Sequence, residues 1–202
     1  MRIGIVANTS WYLYNFRLTL MRKLISEGHE VIALSPSDAY SHSLTDEGIR
    51  HCPVWFHGSS TNPAHALRTI LAINRIIVQE KIDLILSYTP KGNIYSSLAA
   101  ALTKSNVICN ISGLGRAFIQ KSFLTILVKM LYRIGFRFAV RVFFQNADDM
   151  KLFLLEKLLP QTKADLLPGS GVNLSHFGYQ ALPLRPNDSL DLRKFLLVSR
   201  LL

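Results

Sequence analysis

Arg2-Ile3-Gly4-Ile5-Val6-Ala7-Asn8-Thr9-Ser10 opens the chain, and the fold is decided by how this stretch is read. The short apolar run over 3–7 contains β-branched residues and suits a parallel strand buried on both faces. Polar Asn8-Thr9-Ser10 then reads as the loop that leaves it. A helix is predicted over 15–27, where Phe16, Leu20 and Leu24 recur at helical spacing and Gly28 supplies a stop. The same unit repeats along the chain. Further strands are predicted at 30–34, 53–56, 82–87, 107–111 and 140–145. Between them come a short helical turn at 44–47 and helices at 63–80, 92–103, 122–139 and 147–158. Pro63 suits a first helical turn, and Asn146 is a candidate N-cap followed by Asp148 and Asp149. Alternating strand and helix means an α/β fold: a doubly wound, Rossmann-like parallel sheet with helices on both faces. Ligands of such sheets bind beyond the carboxyl ends of the strands, so the loops that follow the strands are the candidates for function.

Composition narrows the class. The 202 residues suffice for one substantial α/β domain and are too few for two. With 49% apolar and 18% charged residues a packed core is expected. The net charge of +10 points to nucleic acid, an anionic membrane surface or phosphorylated substrates, or serves solubility alone. Cys52 and Cys109 stand outside any metal or redox motif and read as buried, reduced thiols. The opening apolar stretch is too short for a signal peptide, and no run approaches the roughly 20 apolar residues of a membrane span. The histidines are scattered, no metal site is expected, and no Ser/His/Asp order can be read.

Five places could carry chemistry. After the first strand, Asn8, Thr9, Trp11 and Tyr12 offer polar groups and aromatic plates that suit sugar hydroxyls and rings, or that pack on the surface. After the fourth strand, Lys91 and Asn93 in Tyr88-Thr89-Pro90-Lys91-Gly92-Asn93 stand at a helix start, where an ammonium and free amides could grip a phosphate. After the fifth, Gly113 and Gly115 let backbone approach a ligand. Gly169, Ser170 and Gly171 expose amides that could face phosphates. Finally, Lys129, Arg133, Arg137 and Arg141 recur every fourth residue in an apolar segment that also holds Lys121. Read as one helical stripe, they suggest contact with an anionic bilayer, against snorkelling side chains on a core helix.

Several segments together resemble one family: the opening strand; Gly58-Ser59-Ser60-Thr61-Asn62-Pro63; Tyr88 to Asn93 with Ile94-Tyr95-Ser96-Ser97; Ile111-Ser112-Gly113-Leu114-Gly115; Val142-Phe143-Phe144-Gln145-Asn146-Ala147-Asp148-Asp149; and Leu167-Pro168-Gly169-Ser170-Gly171-Val172-Asn173. In order and spacing they resemble the family-4-like retaining GT-B glycosyltransferases, which extend lipid-linked saccharides of the capsule, O-antigen and bacterial N-glycan types. The resemblance implies the N-terminal, acceptor-side half of a GT-B fold. It also implies transfer from a UDP-sugar, a donor substrate and no cofactor, to a sugar on undecaprenyl diphosphate. Thr61 and Asn62 join the acceptor-binding candidates, Gly169, Ser170 and Gly171 face the donor phosphates, and no catalytic base is named. Expected partners are the lipid-linked acceptor, an anionic membrane surface and a separate C-terminal donor domain, with no nucleic acid. The expected location is cytoplasmic, on the inner face of the plasma membrane.

The domain plan follows: 1–180 as the acceptor-side domain, 181–194 as a Pro-rich linker, and 195–202 as the first strand of a donor domain. The chain alone is accordingly expected to be inactive. A non-catalytic module that holds a lipid-linked sugar or a protein at the membrane is the competing expectation.

Overall fold

The computed structural model of the chain describes residues 1–58, 60–103, 105–114, 118 and 123–181. In chain order these form β1 (Arg2–Val6), α1 (Ser10–Ser26), β2 (Glu30–Ser35), α2 (Ser41–Asp46), β3 (Arg50–Pro53), α3 (Pro63–Gln79) and β4 (Leu84–Tyr88). There follow α4 (Pro90–Thr103), β5 (Asn106–Ile111), α5 (Phe123–Gly135), β6 (Arg141–Phe144), α6 (Ala147–Leu155) and β7 (Ala164–Leu166). The strands make one seven-stranded sheet in the order β3-β2-β1-β4-β5-β6-β7, and every neighbouring pair is parallel. The predicted doubly wound parallel sheet is therefore the observed one.

Pleating divides the strand side chains between two cores. Ile3, Ile5, Val31 and Ala33 pack with Leu13 and Met21 of α1 and Leu44 of α2. Val6, Ile32, Leu34, Ile85 and Val107 pack with Ile73 and Ile77 of α3, Ile94 of α4, Tyr132 of α5 and Phe153 of α6. The inner strands β1, β2 and β5 are thus buried on both sides, as a parallel sheet requires, while the edge strands β3 and β7 are largely open. Cys52 and Cys109 are both buried free thiols, and burial pushes Cys109 up to about 12, so it stays protonated.

Several boundaries differ from the sequence reading, each for a local reason. α1 begins at Ser10, a turn and a half earlier than predicted, because two side chains cap it. Thr9 Oγ1 accepts from Tyr12 N at 3.1 Å, while Asp38, from the loop after β2, accepts from Ser10 N and Trp11 N at 2.9 and 3.1 Å. Trp11 and Tyr12 consequently stand on a helix and not in a loop. β3 ends at Pro53, where the predicted strand began. The apolar Val54 and Phe56 are still buried, but as irregular chain crossing beneath α3. Asn146 caps α6 as predicted, accepting from Asp149 N at 2.8 Å. The three residues of β7 were too few to show a period and were not foreseen.

The basic stripe needs the largest correction. α5 ends at Gly135, so Arg137 falls in the following turn and Arg141 in β6. Most of its members bind the protein itself. Lys129 pairs with Glu156 at 2.6 Å. Arg133 donates to the carbonyls of Glu156 and Lys157 at 2.8 and 3.1 Å, where the carboxyl end of α6 favours a cation. Arg141 contacts Asp165 at 3.2 Å and donates to the Thr162 carbonyl at 3.1 Å. Lys121 lies outside the described residues.

One compact unit ends at Gly171, and a second begins at Val172. Of the second, 172–181 are described: a turn in which Asn173 accepts from His176 N and Phe177 N at 3.0 and 2.8 Å. The linker beyond residue 181 and the strand expected at 195–202 lie outside the described residues.

Asp38 holds the start of α1 from a distance of 28 residues. Asp38→Ala is expected to destabilise the fold by about 1 kcal/mol, the usual cost of a lost helix cap. Urea denaturation, read as a lower midpoint with an unchanged slope, checks this.

Candidate functional site

Parallel strands put every exit loop at one edge of the sheet. The strand order reverses between β1 and β4, so the chain winds one way from β1 and the other way from β4. Crevices open at such a switch point. On the β1 side stand Asn8 and Thr9, then Trp11, Tyr12 and Phe16 on the first turns of α1. On the β4 side stand Tyr88 and Thr89. Trp11 and Phe16 are exposed and meet edge to face at 5.4 Å; Phe16 also touches Tyr12 at 5.3 Å, and Tyr12 approaches Tyr88 at 6.2 Å. This is a wall of aromatic faces at the rim of the sheet.

Beneath that wall lies a residue the sequence reading passed over. Arg17 is only 6% exposed and has no carboxylate partner among the described residues. Helical side chains lean toward the N-terminus, so its guanidinium reaches back toward the rim. There it lies 4.1 Å from the Tyr88 ring centre and 5.3 Å from that of Tyr12. Nη2 donates to the Tyr12 hydroxyl at 2.7 Å, whereas Nε is buried without a partner. Burying an unpaired ion costs several kcal/mol, and a desolvated cation–π contact returns about 2 kcal/mol. The cation is left under-compensated. Thr89 adds a second irregularity: its φ of +69° is an outlier for a β-branched residue and costs about 1–3 kcal/mol. Its Oγ1 is also buried without a partner. Burial raises the Tyr88 phenol above its ordinary range, so that ring stays neutral.

A second feature adjoins the rim. An apolar groove of about 510 Å³ runs between α3, α4 and α5. Leu67, Ile70, Ile94, Leu127 and Leu131 line it, and Thr61, Asn62 and Lys91 stand at its polar end. Asn62 caps α3, accepting from Ala64 N at 2.9 Å. Lys91, read from the sequence as a phosphate grip, is engaged by the protein's own backbone. Its ammonium donates to the carbonyls of His57, Gly58 and Ser60, which uses all three of its protons to close the loop between β3 and α3. Asn93 is buried, and its Nδ2 donates to the Asn110 carbonyl at 2.9 Å, bracing α4 on β5. Gly113 borders open space, and Gly115 lies outside the described residues. Gly169 and Gly171 adopt positive φ, and Ser170 Oγ accepts from Gln145 Nε2 at 2.7 Å, which ties that turn to the end of β6.

Ser10, Ser35, Ser41 and His51 form a buried hydroxyl network, with Ser10 Oγ 2.8 Å from Ser35 Oγ. Both of these serines are wholly buried, so no substrate reaches them as nucleophiles. Burial lowers the His51 imidazole, and its Nε2 lies 3.1 Å from the Ser35 carbonyl. The network fixes the start of α1 against the exit of β2.

The pattern of the family described as "Glycosyl transferase 4-like" matches residues 2–146. The chain belongs to the glycosyl transferase 4-like family. Its match takes in the aromatic rim, the switch point and all of the groove's lining. The N,N'-diacetylbacillosaminyl-diphospho-undecaprenol alpha-1,3-N-acetylgalactosaminyltransferase of Campylobacter jejuni is 28% identical over 182 residues, which cover 88% of this chain and 48% of the relative. The chain therefore spans about half the length of that relative. A glycosyltransferase structure from Rickettsia africae superposes with a TM-score of 0.64 at 23% identity, covering 88% of this chain and 45% of that one. The UDP-GlcNAc 2-epimerase from Neisseria meningitidis bound to UDP-GlcNAc gives 0.60 at 14% identity, covering 82% and 46%. One fold thus serves transferases and epimerases, and chemistry has to be argued from the site.

Lys91→Met leaves three carbonyls unpaired at the mouth of the groove. A loss of about 1–3 kcal/mol is expected, with faster amide exchange over residues 57–62. Hydrogen exchange followed by mass spectrometry checks the location.

Proposed function

We propose that this chain forms the acceptor-holding part of a glycosyltransferase that moves a sugar from a nucleotide donor, UDP-linked, to a saccharide on a polyprenyl diphosphate. The observation that carries the reading is the amphipathic site. A leucine-lined groove ends in polar groups at the carboxyl edge of the sheet and lies beside a rim of exposed aromatic rings. A free sugar has no use for the groove, and a simple lipid has none for the rim. A sugar joined to a long hydrocarbon needs both. The substrate in the name of the Campylobacter relative, a diphospho-undecaprenol-linked sugar, is of this class. Burying a leucine fully contributes about 1.5–3 kcal/mol, so a hydrocarbon along several of them supplies much of the binding energy.

The same reading accounts for the surface of α5. Ile126, Met130 and Ile134 recur every fourth residue and are exposed, and exposed Phe138 follows the helix. Beside this row a hollow of about 450 Å³ is lined by Arg133, Arg137 and Lys157. We take the row to enter the bilayer, with the cations at headgroup level, in place of the longer stripe read from the sequence. No helix among the described residues is long and apolar enough to cross a membrane; we take the contact to be peripheral. A donor-binding wall, on this chain or a partner, completes the reaction.

Two experiments test this. A polyprenyl diphosphate sugar carrying a diazirine on its first isoprene units is expected to label α3, α4 and α5 around Leu67, Ile94 and Leu131. Leu127→Asp is expected to reduce labelling at least about tenfold, since it sets a charge in the hydrocarbon path. Labelling spread over the surface and indifferent to that change would contradict the reading. In flotation, Met130→Glu with Ile134→Glu is expected to release the chain from vesicles containing anionic lipid, whereas retention by such vesicles would contradict the membrane face.

A further inference from the structure

We infer that Arg17 is an oxyanion-binding residue, which together with the Thr89 hydroxyl takes a phosphate or diphosphate group at the β1/β4 switch point. The inference rests on the acceptor reading and adds to it the group that recognises the charged link between sugar and hydrocarbon.

Hydrogen-bond accounting isolates this residue. A guanidinium carries five N–H groups, and Arg17 engages a partner with Nη2 alone. Nε is shut away from solvent with no acceptor. Other cations of the described residues are better matched. Lys91 binds three carbonyls, Lys129 a glutamate, Lys163 the carbonyls of Phe136 and Arg137, and Arg141 a carboxylate and a carbonyl. Arg17 is more buried than any of these, yet it is paired with two aromatic faces and one phenol. Buried charges are normally paired, so the arrangement lacks an anion.

The surroundings say which anion fits. The rings of Tyr12 and Tyr88 hold the guanidinium plane, and a planar fork with open N–H groups matches two oxygens of a phosphate. Thr89 follows Tyr88 directly. It precedes α4, where a threonine hydroxyl would usually cap the helix. Here the Thr89 carbonyl accepts from Asn93 N at 2.9 Å, and the hydroxyl is left over, buried and unbonded. The orphan cation of α1 thus lies over the Tyr88 ring, and the orphan hydroxyl belongs to the next residue, Thr89, at the exit of β4. Half-exposed Tyr12 is the cover: its hydroxyl is held by Arg17, and rotation of the ring opens the fork toward the rim. A diphosphate could belong to the lipid-linked acceptor or to a nucleotide donor, and the two share this chemistry.

The test is an NMR titration of the full chain, reading the Nε–Hε resonance of Arg17, assigned by its loss in Arg17→Lys. The probes are inorganic pyrophosphate, farnesyl diphosphate and UDP at constant ionic strength. A saturable shift of that resonance is expected, with pyrophosphate affinity lowered at least about tenfold in Arg17→Lys, which keeps the charge and loses the fork. Farnesyl diphosphate acting at lower concentration than UDP assigns the anion to the acceptor; the reverse order assigns it to the donor; either supports the site. A resonance unmoved by all three, while farnesyl diphosphate still shifts the methyl signals of Leu127 and Leu131, overturns the inference and leaves the acceptor reading standing. If the methyls are silent as well, both fall. The wild-type resonance decides the matter even if the variant folds poorly.

Discussion

Parallel pairing is the constraint on which everything else in this molecule depends. Two parallel neighbours cannot be joined by a tight hairpin and need a crossover. Every strand therefore delivers its exit loop to the same edge, and the crossover helices must cover both faces. Because the order reverses between β1 and β4, α1 leaves toward one core and α4 toward the other. Neither helix can close the gap between their starts. Tyr12 and Arg17 reach into that gap from one side, Tyr88 and Thr89 from the other. The strain at Thr89 and the uncompensated charge on Arg17 are tolerated because the sheet beneath them is buried on both faces and over-determines the backbone.

The distribution of apolar residues carries the second part of the account. A helix lying on a sheet needs one apolar stripe. α5 has more than one: Tyr132 and Phe136 just beyond its end go into the core, Leu127 and Leu131 line the groove, and Ile126, Met130 and Ile134 face outward. The cations around it, read in the sequence as an interaction stripe, largely serve to fasten α5 to the end of α6. What remains available for a partner is hydrocarbon surface with a few cations at one end. That combination suits an amphiphile better than a nucleic acid, whose binding would need free cations spread along a face.

The fold was legible because buried parallel strands announce themselves as short apolar runs, and because Gly28, Pro63 and Asn146 punctuate helices by local chemistry. Boundaries set by distant residues were not. The start of α1 depends on Asp38, and nothing near Ser10 reveals that acid. The candidate loops were partly visible: Thr9, Trp11 and Tyr12 stand at the start of α1, and Thr61 and Asn62 line the groove. The internal partners of Lys91 and Asn93 could not be foreseen, since a lysine or amide after a strand looks the same whether it meets a ligand or the protein's own carbonyls. Arg17 escaped notice for the opposite reason. It sits at an ordinary helical position, and only tertiary structure shows that it points inward and finds no acid there. The four-residue spacing of Lys129, Arg133, Arg137 and Arg141 was real, but periodicity cannot see that Gly135 ends the helix beneath it.

A crystal structure of this chain with a farnesyl-diphosphate-linked N-acetylhexosamine tests the central claim most directly. The account predicts hydrocarbon between α3, α4 and α5, the diphosphate at the switch point within hydrogen-bonding reach of Arg17, and the sugar against the aromatic rim. Ligand density at the amino edge of the sheet, or an empty groove beside a bound sugar, would contradict it.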